Sequence, residues 1–353
     1  MKKNLTKVIA LVLILALSLS MFTACGGGGN DGGSDQGAGE EAVQDPVTLH
    51  WAFTPPAESA DDVWHQKVGK LVEEYTDGLV KYEFYPGGTL GNEKVALEGV
   101  ISGTIHQASI SPNVVATVLP EFNVLCLPFV FDSVEHFFDV ISTDEYYNKM
   151  NEAANKVGLQ YLGEDFITPR NISTKKPVYT PADADKQVLR VMDGTIYTDM
   201  MEMWGFNSAV ISYGEVYTSI QQGVVDGVEN SNNGNYVMKF HEVIDYSTNT
   251  NHVFHGQACF MNLDLWNSLT QETRDAIQKA WKDIYPIAKA ELAGLPEYDT
   301  QMVKDAGVTV IELNDEQKQA WIEASQPLYD KYRGVIGEEF YDFAMELIDS
   351  KRQ

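Results

Sequence analysis

Apolar and polar positions alternate strictly along 80–84: Val80, Tyr82 and Phe84 against Lys81 and Glu83, the period of a half-buried strand. The stretch before it, 59–78, keeps a helical period instead. Val63, Trp64, Val68, Leu71, Val72 and Tyr75 fall on one face, Ser59 is placed to cap the start, and Gly78 to close the end. The two periods then take turns. VTLHWAF reads as a strand, EKVALEGVISG as a helix, HQASIS as a strand, FNVLCLPFVF as an apolar strand-like run, and 133–156 as a helix. LQYLGEDFITPRNISTKKPVYTPADAD breaks the rhythm; with its prolines it reads as an extended crossing between lobes. A second set follows: strand QVLRVMD, helix TIYTDMMEMWG, strand NSAVISY, helix EVYTSIQQG and strand VVDGVEN. A long helical region starts at Thr270, where Pro286 and Pro296 are expected to kink or interrupt it, and VTVIELND is a last strand before a helical C-terminus. Strands alternating with helices predict an α/β fold with mostly parallel sheets and helices on both faces.

Charge narrows the partners. The 353 residues carry 51 acids against 25 bases, a net charge of −26, which argues against nucleic acid because phosphate binding needs clustered Lys and Arg. A small anion in a cleft is not excluded, since surface charge is screened over about 8–10 Å. The N-terminus reads as an export signal: a basic MKKNLTK, an apolar VIALVLILALSLSMF, and small residues before Cys25. FTAC resembles a bacterial lipobox, with Phe22 where Leu is usual. An export signal over 1–24 and lipidation at Cys25 are expected, and an uncleaved anchor is the alternative. Residues 25–45, rich in Gly and acids, read as a flexible tether. Both readings place the folded part outside the cytoplasm. Cys126 and Cys259 lie in apolar runs and read as buried free thiols, with a disulfide as the other possibility.

Catalytic patterns are missing from the sequence. HEVID at His241 ends in Asp where a zinc-binding helix needs His, and CxxC, GxSxG and the P-loop lysine pattern do not occur. YPGGTLG lacks the spacing of a phosphate cradle. His252 and His255 stand three apart in an extended run and so face opposite ways. No metal, cofactor or enzymatic activity is expected.

One residue calls for a partner. Arg190 is among only five arginines and sits between Leu189 and Val191 in an apolar strand. An unpaired buried charge costs several kcal/mol, so the guanidinium pairs with Asp193, with Glu215, or with something the protein binds. Tyr213 stands at the end of one strand and Asn230 at the end of another, where open α/β sheets bind ligands. Tyr213 also reads as core and Asn230 as a turn residue. An Arg fork, an amide and an aromatic face together would suit a carboxylate.

Longer motifs carry a resemblance. YPGGTLGNEKVALEGVISGTI, VLPEFNVLCLPFVF, PRNISTKKPVYTPAD, LRVMD and above all YGEVYTSIQQGVVDGVEN resemble the solute-binding proteins of tripartite ATP-independent periplasmic (TRAP) transporters, the DctP type, over the whole chain from about Val47. The resemblance implies two α/β lobes with a hinge and a long lobe-spanning helix. Lobe I would be 46–167 plus 256–295, and lobe II 168–255 plus 296–353. It implies that Arg190 grips an organic acid's carboxylate, that Asn230 hydrogen-bonds the same group, and that Arg170 is a second cationic contact. Tyr213 would pack on the ligand, and Asn92 would reach it from the first lobe. It also implies a lipid-anchored monomer that hands its ligand to a TRAP membrane permease. An ATP-driven importer's receptor and a ligand-sensing lipoprotein are the alternatives. The segment SNNGN, 231–235, departs from the family, which often has Pro after EN; its extra amides would suit a hydroxylated acid such as a sugar acid.

Overall fold

The computed structural model describes residues 45–165 and 168–352. The expected export signal, Cys25 and all but the last residue of the tether lie outside the described residues.

The strands, in chain order, are β1 (Val47–Ala52), β2 (Val80–Tyr85), β3 (Gln107–Ile110), β4 (Leu159–Glu164), β5 (Thr168–Thr174), β6 (Val188–Val191), β7 (Asn207–Val210), β8 (Gly227–Ser231), β9 (Tyr246–Asn249), β10 (Phe254–His255), β11 (Ala258–Asn262) and β12 (Thr309–Glu312). They form two sheets. The first has the order β2-β1-β3-β11-β4; the second is β12-β9-β5-β8-β6-β7, with β10 paired to β5. Fold class is α/β with two helix-flanked sheets, as expected. The sheets are less parallel than the alternation suggested. β11 runs antiparallel to both β3 and β4, and β5 antiparallel to both β8 and β9. The reason is topological: these strands follow the points where the chain crosses from one sheet to the other, without a helix between to reverse it. Two crossings are tied together at Asp165 and Gln257. The Asp165 N–H donates to the Gln257 carbonyl at 2.9 Å, and the Gln257 N–H donates to Asp165 Oδ1 at 2.6 Å.

The helix Ala60–Tyr75 forms as its pattern predicts, with the Ser59 side chain accepting from the Asp62 N–H. One position of its apolar face differs. Val63 is exposed, while His65 is fully buried between Asp165 Oδ2 at 2.7 Å and the Ser109 hydroxyl at 3.0 Å. A polar side chain with dedicated partners takes an inner position that hydrophobicity alone assigns to valine. Residues Pro120–Cys126 form a 3-10 helix rather than a strand. Every residue from Phe122 to Cys126 is buried, so the run has no period from which its conformation could be read. The helix expected over 133–156 breaks in two, Val134–Ile141 and Asp144–Ala154, because the Thr143 hydroxyl caps the second by accepting from the Tyr146 N–H. Pro286 sits inside the helix Gln271–Leu292 without ending it. The interruption comes at Gly294, and Pro296 occupies the first turn of Leu295–Asp305, where a missing N–H costs little. Cys126 and Cys259 are both buried and unpaired with each other.

The helix Asp315–Ile336 ties both halves of the chain. Tyr329 donates to the Pro128 carbonyl, Tyr332 to Asp199 at 2.7 Å, and Trp321 to the Tyr179 carbonyl at 3.0 Å. The first sheet's core is built on Trp51, Trp281, Phe122 and Tyr161, and each such aromatic or large aliphatic side chain contributes about 1.5–3 kcal/mol on burial. No helix among the described residues is long and apolar enough to cross a membrane.

Candidate functional site

The parallel strands of each sheet end on the same side, and the two sets of ends enclose one cavity of about 340 Å³. Thr54 follows β1, Asn92 and Glu93 follow β2, and Ser111 follows β3. Met192 follows β6, Ile211 and Tyr213 follow β7, and Asn230 lies near the end of β8. These carboxyl ends are where open α/β sheets leave a crevice.

Arg190 comes from the middle of β6, which is held between β7 and β8. Its neighbours Leu189 and Val191 are fully buried, and Arg190 itself is only 3% exposed. Neither Asp193 nor Glu215 pairs with it. Nε donates to the Ile211 carbonyl at 2.8 Å, and the Tyr213 ring lies 5.6 Å from Cζ. Nη1 is buried with no hydrogen-bond partner among the described residues. Burial, and then the neighbouring charge of Arg170, push this guanidinium down to about 10. It is still charged at neutral pH, in a site where charge is disfavoured.

Arg170, in β5, is the opposite case. Nη2 donates to Glu229 Oε2 and to the Glu229 carbonyl, each at 2.8 Å, and Nε donates to Oε1 of the same carboxylate. His252 Nε2 adds a contact to Glu229 Oε1 at 3.2 Å. Burial alone would raise the Glu229 carboxyl, but Arg170 and His252 bring it down to about 2. Arg170 lines the cavity with its charge already matched by Glu229.

Asn230 lies beside Tyr213 on the same wall, and its Nδ2 donates to Asn235 Oδ1 at 3.2 Å. Tyr213 is half-buried and packs edge-on against Phe240. Gly234 holds these two in place by what it lacks. A Cβ there would sit 2.6 Å from Asn230 Nδ2 and 2.9 Å from the Tyr213 hydroxyl. Asn92 also lines the cavity, but it is exposed and its Oδ1 is engaged in capping the helix Glu93–Ser102, accepting from the Val95 N–H at 3.0 Å.

Of the three amides of SNNGN, only Asn233 lines the cavity. Asn232 donates to Asn249 and Thr300, and Asn235 donates to the Ser173 hydroxyl; both are buried. Asn233 reaches the cavity, yet its Nδ2 is given to Asp299 at 3.0 Å.

The profile of bacterial extracellular solute-binding protein family 7 (DctP) matches residues 57–334. The chain belongs to this family. Among its relatives are a Chromohalobacter salexigens solute-binding protein, 29% identical over 80% of this chain and 83% of the relative, and the Vibrio cholerae C4-dicarboxylate-binding periplasmic protein DctP, 28% identical over 78% of this chain and 83% of the relative. Solved structures agree. A TRAP periplasmic solute-binding protein from Sulfitobacter sp. NAS-14.1, with bound β-D-galacturonate, superposes with a TM-score of 0.78 at 26% identity, covering 86% of this chain and 99% of that one. Another from Chromohalobacter salexigens, with bound D-glucuronate, gives 0.78 at 27% identity over the same shares. This family 7 chain is therefore an extracytoplasmic solute receptor of the TRAP type.

The family motifs drew attention to the second sheet and, on the facing wall, to Asn92 alone. Asp61 and Glu93, in the first turns of the helices that follow β1 and β2, line the same cavity, as do His255 and Gln257 at a crossing. The strand-end rule that picked out Tyr213 and Asn230 applies equally to β1 and β2, and would have found both acids.

Proposed function

We propose that the receptor captures an organic acid in this cavity, that Arg190 grips its carboxylate, and that the ligand then passes unchanged to a TRAP membrane permease. The observation that carries this is the buried Arg190 guanidinium, which faces a cavity without a protein carboxylate on it. A planar fork of donors in a water-poor site matches a carboxylate with two parallel hydrogen bonds. The ligands of the Sulfitobacter and Chromohalobacter structures, galacturonate and glucuronate, support an acid, as does the C4-dicarboxylate of the Vibrio relative. Asn230 and Tyr213 complete the grip, and Arg170 adds a compensated positive charge beside it. Segments 46–167 with 256–295, and 168–255 with 296–353, act as the two closing lobes. Closure is favoured only to the extent that the ligand binds the closed form better. Cys25 is the site of lipid attachment, with 25–45 as the tether and a monomer as the working unit.

Calorimetric titration with D-galacturonate, succinate and D-galactose tests the reading. Saturable one-to-one binding of an acid and no binding of the neutral sugar are expected. Equal binding of galactose would remove Arg190 from its role.

A further inference from the structure

The acids held by the relatives fall into two chemical classes, hydroxylated sugar acids and C4-dicarboxylates. They differ at the end of the molecule away from the gripped carboxylate, where one class presents hydroxyl donors and the other a second negative charge.

β1 and β2 are parallel neighbours, so the helices that follow them, Ala60–Tyr75 and Glu93–Ser102, both start at the cavity. Each places an acid in its first turn there, Asp61 and Glu93. Glu93 is fixed by three donors on a single oxygen. The Ser111 hydroxyl at 2.8 Å, the Thr54 hydroxyl at 3.2 Å and Gln257 Nε2 at 2.7 Å all donate to Oε1. Oε2 has no hydrogen-bond partner among the described residues, and no cation forms an ion pair with Glu93. Arg190 is close enough to act on its charge, but not to bond it. The cavity thus has Arg190 on the wall of the second sheet and Glu93 on the wall of the first.

A first-turn acid also suits its own helix dipole, which would explain the residue type with no ligand at all. The dipole does not explain three donors gathered from three separate segments onto one oxygen, leaving the other to the cavity. An acceptor with no protein donor, held rigid, is a receptor for a donor on the ligand.

Building on the organic-acid reading above, we propose that Glu93, with Asp61 on the same wall, selects a monocarboxylate whose far end carries hydroxyl donors, and rejects a second carboxylate. Two carboxylates brought together in a closed cleft repel one another, whereas a hydroxyl donates to Oε2 and satisfies it. Burial, and then the charge of Asp165, push the Asp61 carboxyl up to about 8; burial also raises the Glu93 carboxyl, while its three donors and Arg190 pull it the other way. Gln257, which also closes the crossing with Asp165, is a positioning residue for Glu93.

The test uses matched pairs of linear acids in which a terminal CH2OH becomes a carboxylate: galactonate with galactarate, and gluconate with glucarate, with succinate alongside. Each is titrated calorimetrically into the purified wild-type protein, E93Q and D61N, and unfolding of each ligand-free variant is measured in parallel. For whichever pair binds, the wild type is expected to favour the monoacid by about tenfold or more, and to bind succinate no better than the diacid. E93Q is expected to weaken the monoacid and narrow the ratio to within about threefold, with D61N acting in the same direction more weakly. A wild type that binds a diacid or succinate as tightly as the monoacid overturns the proposal. So does a ratio that survives in E93Q at unchanged ligand-free stability. Binding of acids with no discrimination defeats the selector and leaves the organic-acid receptor standing. Failure of every acid, mono or di, to bind the wild type defeats both.

Discussion

Replacing Arg190 with Met separates binding from folding. The side chain keeps its length and apolar stem and loses its charge. In the ligand-free protein that charge is a burden: a buried guanidinium held at about 10 rather than 12.5 is disfavoured by roughly 3 kcal/mol. Against this stand the Nε bond to the Ile211 carbonyl, worth about 1 kcal/mol, and the Tyr213 ring, worth about 0.5–1 kcal/mol. The balance predicts that Arg190→Met leaves ligand-free stability unchanged or raises it by about 1 kcal/mol, as expected where a functional site stores cost. Ligand binding moves the other way. Removing one partner of a desolvated charge pair costs about 2–5 kcal/mol, a loss of roughly 30-fold to several thousandfold in affinity. Urea unfolding of the ligand-free proteins gives the first quantity, and calorimetry with the bound acid the second. A ligand-free Arg190→Met protein destabilised by more than about 2 kcal/mol would show that the guanidinium serves the fold, and the argument from its unmet donors would fail.

Arg170 should answer in the reverse order. Glu229→Gln leaves its guanidinium buried without a counter-charge and is expected to cost about 3–5 kcal/mol of stability, read by urea unfolding. The same pair sets an acid limb. The Glu229 carboxyl is held at about 2 against an ordinary 4.5, so its stabilisation is fully present above about pH 4.5 and is lost as pH falls through 2. Unfolding free energies measured across that window should fall by roughly 3 kcal/mol in the wild type and stay flatter in Glu229→Gln; parallel slopes would contradict the assignment. Gly234→Ala pushes a methyl group against Asn230 and Tyr213. Affinity is expected to drop about tenfold or more with a melting temperature within a few degrees of wild type, and unchanged affinity would mean that these two side chains do not shape the ligand's seat.

Local pattern was enough for the strands and helices whose two faces meet different surroundings. The alternation at 80–84 and the helical face of 60–75 became β2 and the first long helix because one side of each meets the core and the other meets water. The long motif ending at Asn230 was likewise legible, and with it the family and the second-sheet half of the cavity. Where every side is buried, as in Pro120–Cys126, the sequence carries no period and the conformation follows from packing alone. Pairing partners were equally out of reach. Arg190 lies in an apolar strand and Arg170 in the extended crossing, and nothing local to either names its partner. Only the antiparallel register that sets β5 beside β8 gives Glu229 to Arg170 and leaves Arg190 without a carboxylate. The acids facing them, Asp61 and Glu93, lie 77 to 129 residues earlier in the chain and are brought to the cavity by the folding of the first sheet. Charge pairing acts over a few ångströms of space, and the chain order does not record those distances.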